Sequence, residues 1–290
     1  MDFLLTAIIQ GLCFSAIALG IYISMKIFNI PDITTDGSYT LGGVVTAVTL
    51  NHHCPVLLAL PFVIIAGAIA GALTGLIHAK LKINALLAGI LVMTALYSVN
   101  LVIMGRSNLP LDIDHTLFTL VKLVTDPNQN ALIVLVVFVV LITLMIGYLL
   151  KTDFGIAMRA TGNSESMIKA LGVNTDRMKI VGLAIANALT ATSGYLITQF
   201  QGFADISMGI GIVIVGLGSV IIGETLINWF NVTSVWLSLA LVLFGAVLFQ
   251  LVLALTLSLG VDANLLKLVT AVFVLLIVSL PRIGLLRNSY

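Results

Sequence analysis

The run Ala131-Leu-Ile-Val-Leu-Val-Val-Phe-Val-Val-Leu-Ile-Thr-Leu-Met-Ile-Gly-Tyr-Leu-Leu150 contains no charged side chain. About 20 apolar residues are what one helix needs to cross the hydrocarbon core of a bilayer. Lipid offers no partner to backbone N–H and C=O groups, so such a run satisfies itself as a helix. Similar runs recur along the chain, giving nine candidate segments at 3–25, 38–50, 56–78, 84–104, 131–150, 179–200, 207–227, 234–256 and 263–281. Of the 290 residues, 60% are hydrophobic and 9% charged, where a soluble domain carries roughly 25% charged residues. The expected fold class is therefore an all-α integral membrane protein, a polytopic helical bundle of about 8–9 transmembrane segments forming one domain over 1–290. The 38–50 segment is short for a crossing and reads as tilted, extended or partly re-entrant, and 207–227 shares the last option. The first run lacks a positively charged leader and is too long for a cleaved signal, so it reads as a retained span.

Charge placement orients the bundle. If the 151–178 stretch is cytoplasmic, alternate crossings put Lys26, Lys80, Lys82, Lys151, Arg159, Lys169, Arg177, Lys179, Arg282 and Arg287 inside, leaving Arg106, Lys122 and Lys267 outside. Basic residues concentrate on the cytoplasmic side of membrane proteins, which sets the N-terminus outside and the C-terminus in the cytoplasm. A net charge of +1 supplies no basic field for nucleic acid. Cys13 and Cys54 make no metal or redox pattern. The four histidines form no metal site: His52 and His53 are adjacent and so poor joint ligands, with no carboxylate close in sequence to complete them, His78 lies beside Lys80, and His115 is in an acidic loop.

Two loops exceed turn length. The external one, 105–130, carries Asp112, Asp114, His115, Asp126 and Pro127, and reads either as a partner-facing surface or as a solvated connection. The internal one, 151–178, is punctuated for helices. Asp153 is placed to cap a short helix that Gly162 closes. Asn163 or Ser164 can cap a second, with Glu165 in its first turn and Gly172 at its end. Asn174 or Thr175 then starts the next span. The second short helix presents Met167, Ile168 and Leu171 as one apolar strip, which has to be covered. On physical grounds the cover is either the protein's own membrane domain or a separate soluble subunit.

The stretch Gly155-Ile-Ala-Met158-Arg159-Ala160-Thr-Gly-Asn163, followed by Ala170-Leu171-Gly172-Val-Asn174-Thr175-Asp176-Arg177, resembles the cytoplasmic loop of bacterial ABC-importer permeases of the branched-chain amino acid and ribose type. The likeness extends through Gln201-Gly-Phe-Ala-Asp205-Ile-Ser-Met-Gly209 and the glycine-rich run after it. The passage from Gly20 to Ser38, with Phe28-Asn-Ile-Pro-Asp-Ile-Thr-Thr-Asp-Gly-Ser38 at its end, is similar to a sub-branch associated with tryptophan or tyrosine uptake. The resemblance implies a bacterial inner-membrane permease that moves a small solute received from an extracytoplasmic solute-binding protein; the sub-branch points to an aromatic or branched-chain amino acid, with a sugar or nucleoside as the alternative within the same superfamily. It also implies that two copies work as a pair, and that the loop docks on an ATP-binding cassette subunit through Gly155, Met158, Arg159, Ala160, Met167, Ile168, Leu171 and Gly172. The chain has no Gly-x-x-x-x-Gly-Lys-Ser/Thr phosphate loop of its own. ATP and Mg are thus expected in the partner subunit, with no cofactor bound by this chain and no enzymatic activity in it.

Polar groups within the apolar runs are candidates for a translocation pathway, because burying them in hydrocarbon is costly. They are Asp32, Thr34, Asp36, Ser38, Asn100 and Asn187. Pro31 and Gly37 interrupt the first two runs, marking either irregular backbone inside the protein or an ordinary cytoplasmic turn. Thr190, Thr192 and Ser193 read as hydroxyls bonded within or between helices. Glu224 is expected at the cytoplasmic interface, and Gly216-Leu-Gly218-Ser219 as a place of close helix approach. Asp32-Ile33 after one span and Asp205-Ile206 after another of opposite direction form a short echo, as an inverted repeat produces. An ion-coupled secondary transporter would want paired intramembrane carboxylates, whereas the charged residues here fall mostly at span ends. An intramembrane enzyme would want a catalytic constellation at one depth, and the sequence shows none.

Overall fold

The computed structural model describes residues 2–111, 116–262 and 265–287. Asp112, Asp114 and His115 of the longer polar loop lie outside the described residues. The long helices are α1 (Asp2–Ile21), α2 (Thr34–Asn51), α3 (Val56–Ala79), α4 (Ala85–Met104), α6 (Pro127–Lys151), α9 (Thr175–Gln201), α10 (Ile212–Trp229), α11 (Val235–Ser258) and α12 (Leu266–Arg287). Shorter pieces are α5 (Leu117–Leu120), α7 (Asp153–Asn163) and α8 (Glu165–Ala170). Among the described residues, seven helices are long and apolar enough to cross a membrane, the first running from Phe3 through a π-helical turn, Tyr22–Ile27. The protein is an all-α polytopic membrane protein with one addition that the sequence did not announce. Strands β1 (Asn108–Pro110) and β2 (Phe203–Asp205) pair antiparallel, with Asn108 opposite Asp205.

The seven do not include α2, whose composition is the most polar of the early helices. It survives at membrane depth because protein, rather than lipid, surrounds it. Fourteen of its 18 residues are buried, under α3, α4 and α9. A helix whose side chains would be expensive in hydrocarbon is thus kept out of it. Close approach needs residues without bulk: a Cβ on Gly42 would fall on the Ala191 carbonyl of α9, and one on Gly71 of α3 on the Leu183 carbonyl. Small residues at such crossings let membrane helices pack backbone to backbone. By contrast α4 and α6 bury little of their surface and present Val102, Met145 and Tyr148 outward, as lipid-facing helices do.

The packing has an internal correspondence. α3 lies on α9 as α11 lies on α1; α2 contacts α3 and α4 as α10 contacts α11 and α12; α1 and α9 touch each other. Exchanging α1–α4 with α9–α12 therefore maps one set of neighbours onto the other. The short sequence echo falls at equivalent places, just after α1 and just after α9. At both, an aspartate oxygen accepts the N–H two residues on, Asp32 from Thr34 at 2.9 Å and Asp205 from Ser207 at 2.8 Å. The 207–227 run is shortened as a helix: it stays in turns to Gly211, whose φ is +86°, and α10 begins at Ile212.

Candidate functional site

The six polar pathway candidates separate into two clusters. The first is closed. Asn187, in mid-α9, donates to Asp32 Oδ2 at 2.7 Å and to the Leu183 carbonyl at 3.0 Å, and accepts from Ser38 at 2.7 Å. Thr34 and Thr74 share a hydroxyl hydrogen bond at 2.7 Å. Asp32, Thr34, Ser38, Thr74 and Asn187 are all buried, and the named side chains find their partners inside the protein. The cluster ties the break after α1 to α2, α3 and α9. Thr74 is a member that sequence reasoning missed, since a lone threonine in an apolar run carries no signal.

The second cluster borders a cleft. Asp36 accepts the N–H of Gly211 at 3.0 Å and of Val213 at 2.8 Å, one on each carboxylate oxygen. It thereby caps α10 from another helix, where a carboxylate is favoured by the helix dipole and unpaired N–H groups. Asn100 of α4 lies beside it and reaches the Gly37 carbonyl with Nδ2 at 3.4 Å. The cleft between them is also lined by Met93, Tyr97, Ile206, Gly209 and Ile210.

At the end of the bundle that holds Lys26, the 151–178 stretch folds as two short helices. Thr152, rather than Asp153, caps α7 by accepting from Gly155 N–H. Gly162 does not close α7, which runs on to Asn163. Its hydrogen instead permits contact: a Cβ there would fall on the Ile27 carbonyl oxygen. Asn29, in left-handed backbone with φ 54°, donates to the Gly162 carbonyl at 3.2 Å. α7 is thus seated directly on the break that leads to Asp32. Gly155 and Met158 face inward, Met158 among Ile27, Phe28, Leu150 and Leu183. Arg159 and Ala160 are half-buried.

The apolar strip of α8 is narrower than its spacing suggested. Ile168 is only 8% exposed and packs inward, whereas Met167 is 63% and Leu171 68% exposed. The reason is that α8 is only six residues long and packs against both α7 and α9, so one of the three apolar side chains is covered within the fold. Gly172 ends the turn with φ +83°. Glu165 fixes α8 in place, with Lys179 of α9 at 2.6 Å, Lys169 at 2.8 Å and the Thr175 hydroxyl donating at 3.2 Å. The hydrogen bonds from Lys169 and Lys179 hold the Glu165 carboxyl down at about 2, and Lys169 is raised in turn. Glu165 reads from sequence as a helix-start residue, and its clamp to Lys179, fourteen positions on, is visible only in the fold.

The remaining polar groups are bonded within the fold. Thr190 and Thr192 donate to the carbonyls of Ala186 and Ala188, and Ser193 to Cys13 of α1 at 2.7 Å. Glu224 pairs with Lys26 at 3.1 Å.

Residues 3–279 match the family described as the branched-chain amino acid transport system / permease component. The chain is 38% identical over 275 residues to a tyrosine transport system permease protein of Clostridioides difficile, covering 95% of this chain and 90% of that one. It is 36% identical to an uncharacterized protein of Rickettsia prowazekii, covering 96% and 98%. A probable branched-chain amino acid transport permease of Methanocaldococcus jannaschii is 30% identical, with 67% and 65% covered. No solved structure matches the chain.

Proposed function

Because the chain belongs to the branched-chain amino acid permease family, we propose that it is the membrane-spanning subunit of an ATP-driven importer that carries an amino acid inward. In this reading ATP and Mg are handled by a separate ATP-binding cassette subunit, which grips the α7–α8 stretch from the cytoplasm. An extracytoplasmic solute-binding protein delivers the cargo, and a second copy of the chain completes the pathway in a bacterial inner membrane. The N-terminus lies outside and the C-terminus inside, in keeping with the basic residues at the α7–α8 end. An aromatic amino acid is favoured as cargo by the similarity to a tyrosine permease and by the Gly20–Ser38 passage.

The observation that carries the reading is the exposure of Met167 and Leu171 on a helix otherwise clamped by Glu165. Two large apolar side chains held rigidly in water form an interface rather than a flexible loop. Coupling follows from how α7 is seated. A push on α7 and α8 bears on Ile27 and Asn29 through Gly162, and the break passes it to α2 and α9 through the Asp32–Asn187–Ser38 bonds. Alternating access needs such elements with two discrete packings.

The test is to tag the chain in its native membrane and identify what co-purifies in mild detergent. A stoichiometric ATP-hydrolysing subunit is expected, and Leu171→Asp should release it while the membrane part keeps its thermal midpoint. A chain recovered alone, or a partner retained by Leu171→Asp, would contradict the docking role.

A further inference from the structure

The cleft between α2, α4 and the 206–210 turn holds a buried acceptor that the fold leaves unanswered. Asn100 is 1% exposed, and its Oδ1 has no hydrogen-bond donor. A buried acceptor without a donor is costly, and in native proteins it calls for a specific explanation. Beside it, each Asp36 oxygen accepts one backbone N–H and retains further acceptor capacity. No Lys or Arg is among the residues lining the cleft, and Asp36 is in none of the salt bridges among the described residues. The free volume is about 40 Å³, enough for a group the size of a water or an ammonium. Met93, Tyr97, Ile206 and Ile210 supply the apolar and aromatic part of the wall; Thr40, also in the lining, donates its hydroxyl to the Asp36 carbonyl.

An unpaired amide acceptor and a carboxylate among the residues around a head-group-sized space with apolar flanks match a small organic cation and mismatch an anion. We propose that this cleft receives the ammonium group of the transported solute, with Asn100 Oδ1 and Asp36 as its acceptors and Tyr97 and Met93 against the adjoining carbon atoms. This rests on the amino acid reading above and adds which end of the amino acid the permease itself recognises. The solute carboxylate would then be left to other surfaces. Asn100 is a specificity-determining residue in this account, since a solute lacking N–H donors would leave its carbonyl unpaired.

The test uses the permease complex with its ATPase subunit, without the binding protein, so that the binding protein's own selectivity does not enter. Tyramine keeps the ammonium of tyrosine and lacks its carboxylate; 3-(4-hydroxyphenyl)propionate keeps the carboxylate and lacks the ammonium. Tyramine is expected to raise the thermal midpoint of the complex at concentrations at least tenfold lower than the acid. Asn100→Leu, close in size but without an acceptor, is expected to erase that difference. In vesicles supplied with the binding protein, ATP and an equimolar mixture of the twenty amino acids, Asn100→Leu should raise KM for the accumulated species at least tenfold. Asn100→Asp, which keeps an acceptor, should restore uptake. Equal responses to the two probes, or unchanged KM in Asn100→Leu, would overturn the assignment. Should Asn100→Leu fail to fold, the two-probe comparison on the unaltered complex decides alone. If the unaltered vesicles hydrolyse ATP but accumulate none of the twenty, the amino acid reading itself falls and takes this inference with it.

Discussion

Asp32 and Asp36 stand four residues apart, and the protein treats them in opposite ways. Asp32 is sealed: Asn187 and the Thr34 N–H take up its oxygens, the Thr34 and Thr74 hydroxyls pair with each other, and the Ser38 hydroxyl donates to Asn187. Asp36 closes the N-terminus of α10 and still borders open space beside an unpaired Asn100 carbonyl. A completed buried network fixes one arrangement of helices, whereas an incomplete one leaves room for a visitor. Composition cannot distinguish the two, since both are acidic residues in one short polar passage. The partners that decide the matter come from α9, α4 and α10, about 60 to 180 positions away in sequence.

The largest effect is expected where the sealed cluster is opened. Asn187→Leu removes the donor to Asp32 and the acceptor for Ser38, leaving a buried carboxylate short of a partner at a cost of about 3 kcal/mol. A fall of several degrees in the thermal midpoint in detergent, or loss of folded protein, is the expected readout. An Asn187→Leu protein as stable as the original would show that the cluster does not lock the helices. Asp36→Asn is the matching change on the open side. The amide keeps an oxygen for one backbone N–H, so the loss should be about 1 kcal/mol, and the comparison of the two midpoints measures the contrast directly.

Gly162→Ala probes what joins the sealed cluster to the surface. The added methyl collides with the Ile27 carbonyl, so α7 must lift from the break. ATP-driven uptake should drop at least tenfold, with ATP hydrolysis by the partner continuing. Proportional loss of both would instead mean that α7 serves only to hold the partner.

Much of this was legible beforehand, and the residues show why. Apolar runs announce spans because lipid admits little else, and eight of the nine candidate segments lie largely within a long helix of matching order; the other, 207–227, starts its helix only at Ile212. Gly172 and Asn174 marked the end of α8 and the start of α9, because helix termini depend on local chemistry. Gly162 was misread as a terminator, because a glycine kept for close approach looks in sequence like one kept for a left-handed turn. Spacing groups Ile168 with Met167 and Leu171 as one strip, since a six-residue helix offers too few turns to show which of the three the fold itself covers. Which of the polar candidates were locked and which were free depended on pairings far apart along the chain.

The smallest effect concerns the Glu165 clamp. Its carboxyl is held at about 2 in the folded protein against an ordinary value of 4.5. A depressed carboxylate contributes stability above its unfolded value and loses it as pH falls through the folded one. The α8–α9 junction should therefore loosen between about pH 4.5 and about pH 2. Hydrogen exchange of the amides in 165–172 should speed up severalfold across that window, and Glu165→Gln should exchange at the faster rate at neutral pH as well. Unaltered exchange in Glu165→Gln would mean that packing of Ile168 alone holds α8.

The central claim is that the exposed face of α8 brings ATP-derived work to the membrane helices. Purified chain, partner ATPase and binding protein in sealed vesicles, with ATP on the side of α7 and α8, test it most directly through uptake of labelled tyrosine and leucine. Uptake is expected to require ATP and to fall to background in Leu171→Asp. Uptake that persists without ATP, or that follows an imposed ion gradient, would contradict it and show a transporter that runs without the motor.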